Sequence, residues 1–146
     1  CDGVSRAIVN AGGDLRHDGD GTMRVGVEDP NAIADNRTPA DRIEVSRRAV
    51  ATSGIARRQF VIGDRRYSRL IDPRTGRPVA EQIAATVVAP DAATADVLAT
   101  VASVLGPEEF AIKSAGLAVL GIEADWRLLR ADGSLFESAG WRALVR

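Results

Sequence analysis

The chain has 146 residues and a mass of 15.4 kDa, with 45% hydrophobic and 27% charged side chains, which suits one domain with a buried core and argues against wholesale disorder. Its 19 basic residues stand against 20 acidic ones, for a formal net charge of -1, so no basic excess exists to drive binding to a nucleic-acid backbone. No apolar run is long enough for a membrane-spanning helix, and the single cysteine, Cys1, excludes an internal disulfide and a thiolate metal cluster.

An amino-terminal cysteine could carry a lipid, yet a lipid anchor is normally followed by a polar tether, and here apolar Ala7-Ile8-Val9 begins almost at once. With neither an initial Met nor a signal segment, the chain reads as a processed product or a piece of something longer. Ala7 to Ala11 predicts a strand running into the turn Gly12-Gly13-Asp14. His17 to Gly21 is polar and glycine-rich, a hairpin-loop signal that leaves His17 solvated, and alternating Met23 to Val27 suits the returning strand. Asp29 to Pro39 is a loop by composition. Arg47 to Thr52 predicts a strand closed by Ser53-Gly54, and Phe60-Val61-Ile62, Gly63-Asp64 and Tyr67 to Ile71 a second hairpin. Asp72-Pro73-Arg74-Thr75-Gly76 is a strong turn sequence, because Pro fixes one dihedral and Gly permits positive φ.

Ile83 to Ala89 is apolar on both parities and predicts a strand buried on both faces. Asp91 is the N-cap of the best helix, along which Val97, Val101, Val104 and Leu105 recur at helical spacing. Gly106-Pro107 stops it, and Pro107, Glu108 and Glu109 open a second helix carrying Phe110, Ile112 and Ala115. Leu117 to Ile122 and Trp126 to Arg130 read as a last strand pair, and Asp132-Gly133 turns the chain into its tail. No linker or repeat divides residues 1 to 146, so the expectation is a single α+β domain, a mostly antiparallel sheet layered with helices.

Few residues suggest chemistry. Asp96 and Thr100 stand four apart, on one helix face. They could hold an oxygen-seeking ion such as Mg²⁺, or be a solvated Asp and a Thr bonded back to a helical carbonyl. The Gly12-Gly13-Asp14 turn could receive an anion on its amides or be a turn and nothing more, and the hydroxyls of Thr52-Ser53-Gly54 carry the same two readings. Asp72 and Arg74 suggest a local hydrogen-bonded turn, with substrate contact as the other reading. With His17 the sole histidine, neither a Ser-His-Asp triad nor a histidine-rich metal site can be assembled. Trp126 and Trp141 are read as core or tail-packing residues, though either could stack on an aromatic ring. Lysine occurs once, at Lys113; the arginine-rich remainder suits phosphate recognition, or reflects base composition.

In order and spacing the chain resembles the C-terminal half of the ApbE family. The matching blocks are Val9-Asn10-Ala11-Gly12-Gly13-Asp14-Leu15-Arg16, Val25-Gly26-Val27-Glu28-Asp29-Pro30 and Ala49-Val50-Ala51-Thr52-Ser53-Gly54. They continue with Tyr67-Ser68, Ile71-Asp72-Pro73-Arg74-Thr75-Gly76, and Val87-Val88-Ala89-Pro90-Asp91-Ala92 leading to Ala95-Asp96 and Ala99-Thr100. The resemblance implies a T-fold-like architecture. It also implies a transferase that takes FAD as substrate with Mg²⁺, moves FMN to a Thr or Ser of an acceptor protein and releases AMP. It assigns the metal to Asp96 and Thr100 and places Gly12, Gly13, Asp14, Thr52, Ser53 and Gly54 near the flavin nucleotide. Family habit implies the bacterial cell envelope or periplasm.

Two departures stand out. Arg69 occupies the position where the family commonly has a histidine after the Tyr-Ser pair, and a guanidinium cannot act as a general base. The family's first half, which supplies further contacts, is missing from this stretch. A non-catalytic flavin-binding module or degenerate homologue, and a structural domain that binds no flavin, are therefore the alternatives. No stretch of the chain resembles the family's usual acceptor motif.

Overall fold

The computed structural model describes residues 3–27, 39, 41–54, 59–80 and 83–146. Cys1 and the loop predicted over 29–38 lie outside the described residues.

Among the described residues, twelve strands and two α-helices follow in order: β1 (Arg6–Ala11), β2 (Asp14–Gly19), β3 (Met23–Val27), β4 (Asp41–Val45), β5 (Ala49–Gly54), β6 (Gln59–Ile62), β7 (Arg65–Ser68), β8 (Ile71–Asp72), β9 (Arg77–Pro78), β10 (Ile83–Ala89), α1 (Ala92–Leu105), α2 (Pro107–Ser114), β11 (Asp125–Arg130) and β12 (Leu135–Glu137). Six strands form one sheet in the order β1-β2-β5-β10-β11-β12, and every pairing in it is antiparallel. β3-β4, β6-β7 and β8-β9 are separate two-stranded ribbons. This is the expected α+β arrangement.

β10 is the centre of the molecule, and all seven of its residues are buried. Its two faces serve two cores. Ile83, Ala85, Val87 and Ala89 pack with Ala49 and Ala51 of β5, Trp126 and Leu128 of β11, and Ala95, Leu98, Ala99 and Ala102 of α1. Val88 and Val50 look the other way, onto Met23, Val25 and Val27 of β3, Ile43 and Val45 of β4, and Trp141. Both tryptophans are packing residues, and Trp126 meets Phe110 of α2 edge-on at 5.4 Å.

Four local expectations change. Residues 14–19 form a strand, and β1 and β2 are the hairpin, joined across Gly12-Gly13. β3 therefore pairs with β4, in the register Met23↔Val45 to Val27↔Asp41. Alternation identified β3 as a strand but could not name its partner, because both edges of β2 are already taken by β1 and β5. His17 is consequently fully buried (0% exposed), with Nδ1 accepting from the Arg47 N–H at 3.0 Å. That bond braces Arg47 at φ 50, and the next strand starts only at Ala49.

The buried stripe of α1 is Ala95, Leu98, Ala99, Ala102 and Ser103, whereas Val97 is 57% exposed. The sheet beneath is lined with alanines, and small residues on both surfaces let helix and sheet backbones approach closely. Leu117 to Ile122 is no strand: it holds a 3-10 turn at Ala118–Leu120, closed by left-handed Gly121. Both neighbours of β10 are already in place, so this apolar run has no ladder to join. Asp132-Gly133 turns the chain into a hairpin that ends in β12.

Capping behaves as expected, since Asp91 Oδ1 accepts from the Thr94 N–H at 2.9 Å. The packing predicts that Ala102→Val destabilises the fold by about 1–3 kcal/mol through overfilling. Val97→Ala, on the exposed face, should change it by no more than about 0.5 kcal/mol, and urea denaturation of both variants checks the assignment of the faces.

Candidate functional site

Strand register decides which sequence-nominated side chains share a face. Leu15 pairs with Val50 and Arg16 with Ala49. Leu15 and Val50 belong to the core under β3 and β4, whereas Ala49 faces α1. Strand alternation therefore puts Asp14 and Arg16 on the α1 face of β2, and Ser53 on the α1 face of β5. Thr52 lies on the opposite face, where its hydroxyl is 3.0 Å from that of buried Thr86. Gly54 sits over Ala84. The two residues of the Thr-Ser pair thus look in opposite directions, and only Ser53 shares a side with the helix.

On α1, Asp96 and Thr100 lie on the flank away from Leu98 and Leu105, which pack into the α1-side core. Asp96 is exposed and Thr100 half-buried. Neither side chain makes a hydrogen bond or ion pair with another described residue. Asp96, Thr100, Asp14 and Ser53 therefore stand on one side of the sheet. At the C-terminal end of the helix, Ser103, Val104, Leu105 and Gly106 border a cleft of about 350 Å³ with Asp72, Thr75, Arg77 and Pro78, and none of Asp96, Thr100, Asp14 and Ser53 lines it. Two separate sequence blocks, the Asp-Pro-Arg-Thr-Gly turn and the helix, thus meet at the C-terminal end of α1.

Backbone geometry keeps the β1-β2 turn open. Gly12 and Gly13 have φ of 71 and 114, and no atom lies within 4 Å of where a Cβ would stand. It is the left-handed conformation, not crowding, that calls for glycine here. Asn10 Oδ1 accepts from the Gly13 N–H at 3.0 Å, so one amide of the turn is already engaged.

Arg16 escaped sequence reasoning. Its Nη1 is buried without a hydrogen-bond partner among the described residues, and Nη2 stands 3.7 Å from the Asp18 carboxylate. It acts on Asp91, whose carboxyl is held below the usual range first by the Thr94 N–H and hydroxyl at the helix cap, with Arg16 adding to the effect. Only the position of Arg16 two residues after Asp14, on the same parity, could have flagged it.

Asp72 and Arg74 form the expected local turn and more. The Arg74 N–H and Nε both donate to Asp72 Oδ1, and Nη1 donates to Glu109 of α2 at 2.8 Å. The turn is thereby tied to the second helix. Arg74 lowers both carboxyl pKa values, by hydrogen bonding first and by charge second. Arg69 is exposed beside buried Ser68, whose hydroxyl accepts from the Leu70 N–H. Among the described residues no acid pairs with it.

Comparison with known proteins places this arrangement. The ApbE family profile matches residues 2–120. The chain belongs to the ApbE family. It is 35% identical over 125 residues to the FAD:protein FMN transferase of Escherichia coli K12, covering 81% of this chain and 35% of the relative. With the Vibrio cholerae enzyme of the same name it is 39% identical over 111 residues, covering 73% of this chain and 33% of the relative.

Among solved structures, the ApbE protein of Thermotoga maritima superposes with a TM-score of 0.80 and 30% identity, covering 97% of this chain and 45% of that one. The apo flavinyl transferase ApbE of Pseudomonas stutzeri gives 0.68 and 28%, covering 97% and 44%. The chain therefore spans about a third of the length of these curated relatives and less than half of the structural ones.

The Arg74 clamp yields a pH prediction. Both carboxyl pKa values are depressed in the folded state, so the clamp contributes stability above the ordinary carboxylate range and loses it as pH falls through the depressed values. Arg74→Gln should move the Asp72 and Glu109 titrations up toward ordinary values and flatten the acid side of the stability profile. NMR titration of the side-chain carboxyl carbons reads the first effect, and thermal melts across pH the second.

Proposed function

We propose that this chain is the C-terminal portion of a Mg²⁺-dependent flavin transferase, which takes FAD as substrate, moves FMN to a Thr or Ser hydroxyl of an acceptor protein and releases AMP. The observation that carries this reading is the single-sided grouping of Asp14, Ser53, Asp96 and Thr100 between β2, β5 and α1. The names of the relatives supply the reaction. The remainder of the family's length would act with this portion, and the cell envelope or periplasm is the compartment that the resemblance favours.

The donor set fits the metal. Asp96 and Thr100 offer one carboxylate and one hydroxyl, and no group of three or more His, Cys, Asp or Glu occurs among the described residues to suggest a softer ion or an all-protein cage. A hard cation that keeps waters and shares phosphate oxygens needs no more than this. Bound there, Mg²⁺ would neutralise charge on the pyrophosphate.

The chain's own residues would do the rest. The open Gly12-Gly13 turn admits the nucleotide close to the backbone. Arg16 offers its unpartnered N–H to a phosphate oxygen, a fork suited to that geometry. In the transfer, the acceptor oxygen bonds to the FMN phosphorus, the bond to the AMP phosphate breaks, and the hydroxyl proton passes to water or to the departing phosphate. Arg69 cannot take that proton, but it can hold phosphate charge. Its replacement of the family histidine also favours a second reading, a flavin-binding module that has lost the chemistry.

Titration with FAD in Mg²⁺ and then EDTA, beside Asp96→Asn and Arg16→Gln, tests the assignment. FAD affinity should fall at least tenfold, about 1.4 kcal/mol, on chelation and in the Asp96 variant, and should fall in the Arg16 variant with or without metal. Binding indifferent to EDTA and to Asp96→Asn would overturn the metal site. Arg69→His separates the two readings: gained FMN transfer to an acceptor marks a decayed enzyme, while unchanged transfer removes the histidine argument.

A further inference from the structure

The two edges of the six-stranded sheet are finished very differently. β12 is three residues long, and Phe136 and Glu137 are half-buried. The Arg130 guanidinium covers the Phe136 ring at 5.2 Å, and Glu137 pairs with buried Arg127 and with Arg142. That is how a sheet edge is normally closed. β1 is six residues long, and every one of them is exposed.

Nothing in β1 guards its edge. It contains neither proline nor lysine, and its register with β2 runs without a bulge from Arg6↔Gly19 to Ala11↔Asp14. Its only charge, Arg6, is turned back to donate to the Thr22 carbonyl at 2.7 Å. One face, Ala7, Val9 and Ala11, is apolar, and the other carries Ile8 between Arg6 and Asn10. Ile8, 48% exposed, lies opposite His17 on the β3-β4 side, and Val9, 58% exposed, lies opposite Arg16 on the α1 side.

The backbone is equally open. The Asp20 N–H bonds the Ser5 carbonyl at 2.8 Å. Antiparallel alternation from that pair spends the odd-numbered amides of β1 on β2, and leaves those of Arg6, Ile8 and Asn10 facing outward.

We propose that β1 is a seam, and that a polypeptide carrying the remainder of the ApbE family's length continues the sheet by pairing a strand with it, covering Ile8 on one face and Val9 on the other. This deepens the transferase reading above and rests on it for the identity of the partner. The Thermotoga maritima structure matches 97% of this chain, yet the chain covers only 45% of that structure. More than half of that relative therefore lies elsewhere in its fold, and an unfinished six-residue edge is where a sheet can accept it. β1 runs directly into Gly12, Gly13 and Asp14, so an added strand would bring the other portion's side chains alongside the nucleotide residues.

Amide hydrogen exchange tests the seam, on this chain alone and on a fusion that joins the preceding portion of the Thermotoga maritima relative to it. In the isolated chain the Arg6, Ile8 and Asn10 amides should exchange at nearly unprotected rates. In the fusion they should slow at least a hundredfold. Ile8→Pro removes an outward amide without touching a β1-β2 bond, so it should lower the Tm of the fusion and leave that of the isolated chain unchanged.

Fast exchange at those amides in a folded fusion would overturn the proposal. So would protection of them in the isolated monomer. A concentration-dependent dimer that protects them would assign the edge to a second copy instead, which also overturns it. FAD titration of the same fusion separates the two claims: protected amides without FAD binding keep the seam and sink the transferase reading, and FAD binding with unprotected amides does the reverse.

Discussion

Close contact between α1 and the sheet is the constraint from which the rest of the arrangement follows. Ala95, Ala99 and Ala102 lie against Ala49, Ala51, Ala85 and Ala89, all fully or almost fully buried. With methyl groups on both surfaces, the helix axis sits nearer the strands than leucines or valines would allow, and interiors packed to crystal-like density resist any change in that spacing. The polar flank of the helix is thereby fixed relative to the strand ends.

Arginine organises the polar parts of the molecule. Arg48 Nη1 donates to Asp125 at 2.7 Å and Nη2 to the Val88 carbonyl at 3.1 Å, tying the starts of β5 and β11 to the end of β10. Arg127, on the side away from α1, lies 3.5 Å from Glu137 and 3.9 Å from Asp41, so it links the β3-β4 ribbon to the far edge of the sheet. Arg74 does the same for the β8-β9 turn and α2. Planar forks that bridge two acceptors suit this role better than a point-like ammonium. These arginines and Arg16 are not alike in satisfaction: Arg127 keeps Nε and Nη1, and Arg16 keeps Nη1, buried without a hydrogen-bond partner among the described residues, whereas Arg48 and Arg74 donate fully formed bonds.

Much of the fold was legible along the chain. The buried run of β10, the Asp91 cap, the Gly106-Pro107 break and the β6-β7 and β8-β9 turns all rest on local chemistry: β-branched runs, a carboxylate accepting an amide, a ring that fixes φ. The misreadings share one cause, because each needed a partner that no local signal names. Met23 to Val27 alternates whichever strand it pairs with. His17 resembles a loop residue until β5 arrives on the open side of β2. Valines in α1 outrank alanines in apolarity, yet the sheet surface selects the smaller residues for contact.

The candidate site divides in the same way. Sequence by itself determined the family, the i,i+4 placement of Asp96 and Thr100 and the glycine turn, since each depends on residue identity and short spacing. Only the tertiary structure decided that Ser53 shares a face with the helix while Thr52 turns away, that Arg16 keeps an unpartnered nitrogen on that face, and that β1 is left bare. Those facts depend on strand register and on which surfaces are covered. A shift of one residue in pairing would exchange the two faces, and nothing within a single strand's sequence opposes it; the cores on either side of β10 do.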